Sequence, residues 1–214
     1  MGIFKTPLEA VLIEEVIRIA KVCYNRGWCF GTAGNFSIRS KIDRMWQSPS
    51  ARNKGNLQRD SFIPIQVDTG RALEDFITTK PSLEMPIHRH IYRARPGARA
   101  IVHCHPPFVV GLSDTWKGSF VRFGGVEMVK ALGAPDYSDW VECPVIQNLS
   151  VKEMSHLSGL DQELRDAPAL ILRGHGVYAW GSDPDEALSA LEAIEFIAQT
   201  LTHTSGLAVV ENLR

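Results

Sequence analysis

Short apolar runs bounded by turn residues alternate with segments of helical period along almost the whole chain, and that alternation leaves few folds open. Asn35–Arg39, Phe62–Val67, Ala98–His103, Val141–Ile146 and Ala169–Arg173 read as strands, bounded by Gly, Pro, Asn and Asp. A first helix is predicted over Pro7–Arg26, where Leu8, Val11, Leu12, Ile19 and Cys23 recur at near-helical spacing and Gly27 supplies a stop. Further helices are predicted over Ser82–Arg95, Pro107–Ser113, Val126–Leu132 and Ser150–Arg165. The longest runs from Asp183 to about Thr202, with Asp183 as N-cap, Pro184 as first helical residue and Gly206 beyond its end. Ile42–Asp60 is polar and turn-rich, and reads as an exposed loop around one short strand. The pattern predicts an α/β fold, a sheet with helices on both faces. A length of 214 residues suits a single domain, 1–214, with a core that needs no disulfide.

Charge narrows the partners. With 23 basic and 24 acidic residues the net charge is −1, which argues against a broad nucleic-acid surface while leaving room for a local anion site. No apolar stretch approaches the roughly 20 residues that span a bilayer. Met1–Ala10 carries neither a long apolar core nor a small-residue cleavage site, and after Gly2 only a weak myristoylation pattern. Cys23, Cys29, Cys104 and Cys143 form no C-x-x-C pair and no dense disulfide framework, so a reducing cytoplasm is expected.

Chemistry concentrates at the ends of two strands. Ile101-Val102-His103-Cys104-His105 ends an apolar run in two histidines that a strand projects from one face, with Cys104 turned the other way. Imidazole suits zinc and its neighbours, although an isolated pair of this kind is more often two ordinary hydrogen-bonded histidines. A second strand runs into Arg173-Gly174-His175-Gly176, where flanking glycines permit a sharp turn and close approach. Three protein ligands with an open position are the pattern of a catalytic zinc. His88 and His90 fall on a predicted helix, where His88 shares a face with Glu84; His156 and His203 read as helix-surface residues. Glu84 and Glu127 each stand at a predicted helix start, serving either as metal-site carboxylates or simply as favourable charges there. Gly31-Thr32-Ala33-Gly34-Asn35-Phe36-Ser37 is a glycine-rich turn into a strand that can cradle a phosphate. Ser50, Arg52, Lys54 and Ser82 add hydroxyl and cationic groups of the kind phosphate sites use.

Four motifs occur in one order: Gly34-Asn35-x-Ser37, Pro81-Ser82-x-Glu84, His103-x-His105 and Gly174-His175-Gly176. In that order the chain resembles the class II aldolase family over nearly its whole length. Val126–Leu132, Gly174–Gly181 and Leu191–Phe196 bring it nearest to that family's methylthioribulose-1-phosphate dehydratase branch. The resemblance implies a three-layer α/β/α sandwich with a mostly antiparallel central sheet, and a homotetramer with sites near subunit interfaces. It implies one zinc per subunit on His103, His105 and His175, with a small phosphorylated ketose as substrate. It places Glu84 at the aldolase and Glu127 at the dehydratase acid/base position, which leaves Glu84 as ligand or auxiliary base in a dehydration, and it matches Asn35, Ser50 and Ser82 to residues that hold the phosphate, to which Lys54 adds its cationic group. The runner-up activity is aldol cleavage of a fuculose- or deoxyribulose-type phosphate; pentulose 4-epimerisation and a metal-free interaction domain stand further off. Two positions depart from the family pattern: Ala51 replaces a common glycine, and Ala33 replaces serine or glycine.

Overall fold

The computed structural model of the chain describes residues 6–73, 80–155, 157, 159 and 162–203. Helix α1 (Pro7–Asn25) opens on a capping box: Thr6 Oγ1 accepts from the Glu9 amide, and the Glu9 carboxylate accepts from the Thr6 amide. Then follow β1 (Asn35–Lys41), β2 (Arg44–Gln47), β3 (Ile63–Gln66), α2 (Met85–Ala94), β4 (Ala100–Cys104), α3 (Pro107–Thr115) and β5 (Phe120–Gly124). After a 3₁₀ turn at Glu127–Leu132 come β6 (Trp140–Ile146), α4 (Val151–Ser155), β7 (Ala169–Leu172), β8 (Gly176–Gly181) and α5 (Pro184–His203). The strands form one sheet of order β3-β2-β1-β4-β8-β7-β6-β5, in which only the β6–β7 pair is parallel.

The strand period of two divides the core into two layers. On β4, Ala100, Val102 and Cys104 join the core that packs α1 and α5 on one face, with Ile13, Phe36, Ile38 and Ile194. Ile101 turns to the other face, under α2, with Ile87, Ile91, Leu170, Tyr178 and Trp180. His103 shares that face. The cross-strand register sets Asn35 of β1 opposite His103 of β4, and His103 opposite Tyr178 of β8, so a polar row interrupts the apolar layer at one end of the sheet.

The central and terminal elements match expectation: Asp183 caps α5 by accepting from the Glu186 amide at 2.8 Å. Four regions differ. Within Ile42–Asp60, expected to be an exposed loop around one short strand, the strand is present as β2, but it is paired on both edges and Met45, Trp46, Gln47 and Ser48 are fully buried. Ser48 is accommodated in the interior because its Oγ accepts from the Phe36 amide at 3.0 Å. β5 and β8 add strands beyond those predicted; β8 is bounded by glycines yet buried along its length. Val126–Leu132 forms a 3₁₀ turn closed by Gly133 at φ 94° instead of an α-helix. Within Ser150–Arg165 the α-helix is confined to Val151–Ser155, with a turn at 162–166; His156 and Gly206 lie outside the described residues.

Candidate metal centre

His103 is the penultimate residue of β4 and His105 lies one residue past the strand, bringing their Nε2 atoms to 3.1 Å. His175 enters from the β7–β8 turn, where Gly174 adopts φ 63°. A methyl at Gly176 would collide with the Cys104 carbonyl and the His105 ring, so the glycine is what lets the turn close over β4. Glu84, at the cap of α2, spans the gap between histidines: one oxygen lies 3.2 Å from His103 Nε2, the other 3.3 Å from His175 Nε2. Tyr178 stacks on His103 with ring centroids 3.9 Å apart.

Hydrogen positions follow from the outer contacts. His103 Nδ1 faces the Val177 carbonyl at 3.1 Å and His175 Nδ1 faces Asn148 Oδ1 at 2.9 Å, so each carries its hydrogen on Nδ1. Their Nε2 lone pairs therefore point inward at a carboxylate, an arrangement that repels itself unless a cation sits among these atoms. Burial drives the His103 pKa well below the ordinary value, and burial with His175 nearby lowers that of His105 to about 4. The imidazoles of His103 and His105 are thus neutral, as metal ligation requires. Among the described residues the ligand atoms of His103, His105 and His175 lie within 4.8 Å of one another, the only such group of histidine, cysteine or acidic side chains. The 3.1 Å spacing is close to the ~3.3 Å edge of a tetrahedron built on bonds of about 2.0–2.1 Å. The donor set fits zinc.

The residues expected to hold phosphate are placed less uniformly. The buried Asn35 amide donates to Glu84 and receives His88, so it is committed inside the protein. Lys54 is 1% exposed and donates to the carbonyls of Thr32 and Arg52 at 2.8 and 2.7 Å, clamping the glycine-rich turn to the next loop. Ser50 and Ser82 sit on neighbouring segments joined by the Pro49–Pro81 bridge and by the Ser50 amide bonding to the Lys80 carbonyl. The Ser82 hydroxyl accepts from the Glu84 amide at 3.3 Å. Ala51, where the family pattern commonly has glycine, keeps a left-handed backbone at φ 54°.

Glu127 is not brought to the histidines. β6 reaches the His175 end of the sheet at Ile146, whereas antiparallel β5 delivers the chain at Gly124 beside Trp140, the opposite end of β6. Glu127 follows there, 73% exposed and paired with Lys130 at 2.6 Å. A cleft of about 590 Å³ at that end, bounded by Ala98, Leu132, Trp180 and Gly181, contains none of the three histidines. Sequence reasoning passed over Tyr178, Tyr92 and Asn148. The four-residue spacing Glu84–His88–Tyr92 and the strand alternation of β8 could have pointed to the tyrosines; Asn148, in a loop, carries no such signal.

The family profile described as Class II Aldolase and Adducin N-terminal domain matches residues 14–202. A methylthioribulose-1-phosphate dehydratase of Enterobacter sp. (strain 638) is 36% identical over 80% of this chain and 84% of its own length. Its counterpart from Gluconacetobacter diazotrophicus is 34% identical over 86% of this chain and 89% of its own. Among solved structures, L-fuculose-1-phosphate aldolase from Thermus thermophilus superposes with a TM-score of 0.74 at 30% identity, covering 93% of this chain and 98% of that one. YgbL from Escherichia coli shares the fold, with a TM-score of 0.77 at 23% identity over 97% and 95% of the two chains. The histidine cluster, the sheet that presents it and these matches place the chain in the class II aldolase and adducin N-terminal domain family.

Proposed function

We propose that this protein is a zinc-dependent carbon–oxygen lyase that dehydrates 5-methylthioribulose 1-phosphate to 2,3-diketo-5-methylthiopentyl 1-phosphate, a step of methionine salvage in the cytoplasm. The observation that carries the reading is the cluster of His103, His105 and His175 beside Glu84, in a chain whose dehydratase relatives match it over most of its length. Zinc held by His103, His105 and His175, one per subunit, supplies Lewis acidity toward the substrate's carbonyl and neighbouring hydroxyl. The chain's own groups do the rest. Glu84, held beside the histidines, serves as ligand or as a base for the acidified C3 proton. Ser50 and Ser82, on adjoining loops, offer hydroxyls to the phosphate; Lys54 holds the Ser50 loop against the glycine-rich turn and contributes positive charge. Asn35 acts on Glu84 within a single chain.

Glu127 keeps the acid/base role at C4 only if another copy of the chain delivers it, because its own sheet carries it away from its own histidines. A homotetramer with sites between subunits meets that requirement. One observation favours the alternative of an aldolase on a ketose 1-phosphate: the carboxylate at the histidines is Glu84, and the aldolase from T. thermophilus is 30% identical. Incubating the zinc-loaded protein with 5-methylthioribulose 1-phosphate and identifying the product separates the two. Loss of water to the diketone phosphate supports the dehydratase; release of dihydroxyacetone phosphate from a ketose 1-phosphate supports the aldolase.

A further inference from the structure

Behind Glu84 runs a row of buried polar side chains that the dehydration as described does not use. Asn35 and Ser37 are alternate residues of β1 and face α2; Glu84, His88 and Tyr92 recur every fourth residue and face β1. The rows interlock. The Asn35 amide nitrogen donates to Glu84 Oε2, and Asn35 Oδ1 meets His88 Nε2. His88 Nδ1 lies 2.7 Å from Ser37 Oγ, which lies 3.0 Å from the Tyr92 hydroxyl. Tyr92 also reaches the Arg99 carbonyl at 3.2 Å. Asn35, Ser37, His88 and Tyr92 are each at most 3% exposed.

With Glu84 as a carboxylate, one order of hydrogens satisfies each contact from Glu84 through to Tyr92. Asn35 must present N–H to Glu84, so its carbonyl oxygen faces His88 and His88 carries hydrogen on Nε2. His88 Nδ1 is then an acceptor and Ser37 donates to it, so Ser37 accepts from Tyr92, whose single hydrogen goes to Ser37 Oγ at 3.0 Å in place of the Arg99 carbonyl at 3.2 Å. Burial supports this by keeping His88 neutral, its pKa pushed down to about 3. We propose that Tyr92, Ser37, His88 and Asn35 form a positioning array whose hydrogen order fixes the Asn35 amide and, through it, aims the Glu84 carboxylate between His103 and His175. None of Ser37, His88 and Tyr92 needs to touch substrate; each acts through the next. The array rests on the reading of Glu84 as part of the working site.

Ser37→Ala tests it, because it deletes one hydroxyl set back from the candidate metal site behind His88, Asn35 and Glu84. Without that donor His88 takes either tautomer and the Asn35 amide loses its set orientation. The expected result is a fall in kcat of roughly 10–100-fold with KM within about twofold, and weaker zinc retention in competition with a chromogenic chelator. Ser37→Thr restores the hydroxyl and should recover both. A change in either quantity that Ser37→Thr reverses supports the array. Wild-type values of both, even with a lowered melting temperature, overturn it by leaving Ser37 a purely structural role. If wild-type protein does not dehydrate the substrate, the functional reading fails and zinc retention alone judges the array by the same comparison. Should Ser37→Ala not fold, Tyr92→Phe, which keeps the ring and removes the terminal donor, carries the same expectations.

Discussion

Ala51 holds φ 54°, the only positive value at a non-glycine position among the described residues. An L-residue there costs about 1 kcal/mol relative to glycine through its Cβ. Ala51→Gly is therefore expected to raise the unfolding free energy by a few tenths to about 1 kcal/mol, after the added flexibility of the unfolded chain offsets part of the relief. Denaturant titration measures this, and a destabilised variant would show that the strain is absent. The departure from the family pattern is thus one of residue type alone; the left-handed backbone is kept. His88 gives the second expectation at this scale. Burial lowers its pKa from the ordinary 6.5 to about 3, so unfolding binds a proton between those values. Its contribution is complete above pH 6.5 and is lost as pH falls toward 3, with a slope of up to about 1.4 kcal/mol per pH unit. Unfolding curves between neutral pH and about pH 4 should be flatter for His88→Gln than for wild type; parallel curves would contradict the assignment.

At the scale of elements, the β7–β8 turn delivers His175 through two glycines, and Gly176 has no room for a methyl against the Cys104 carbonyl. Gly176→Ala should cost about 1–3 kcal/mol and weaken zinc binding by displacing His175 from β4. A variant that binds zinc as wild type does would mean the turn accommodates the methyl elsewhere. This turn was legible in the sequence because Gly-His-Gly after an apolar run is a local signal, as is His-x-His at a strand end. The burial of β2 was not. Arg44–Gln47 is short and carries polar residues, and what makes it interior is pairing with β1 and β3, which no local window contains. Glu127–Leu132 has the periodicity of an α-helix, but Gly133 stops it after six residues and the segment settles into a 3₁₀ turn. Asn35 was found for its place in a glycine-rich turn, yet its partners Glu84 and His88 lie 49 and 53 residues away. Their meeting depends on β1 lying beneath α2.

For the whole molecule, the sheet order decides which carboxylate a single chain can use. Glu84 arrives on α2 above β1 and β4, while Glu127 is carried to the opposite end by β5. If another subunit supplies Glu127, complexes mixed from inactive Glu127→Gln and inactive His175→Ala chains should regain part of the wild-type rate, since some sites combine an intact glutamate with intact histidines. Mixed complexes no more active than either parent would return Glu127 to a surface role. The fold itself was largely readable, because alternating periods and four ordered motifs span the chain; the distance between the two glutamates was not, because it follows from strand direction. Underlying all of this is the metal. Elemental analysis of purified wild-type and His175→Ala protein addresses it most directly: about one zinc per subunit is expected in the first and little in the second. Wild-type protein that carries no zinc and takes none up when it is supplied would contradict the account.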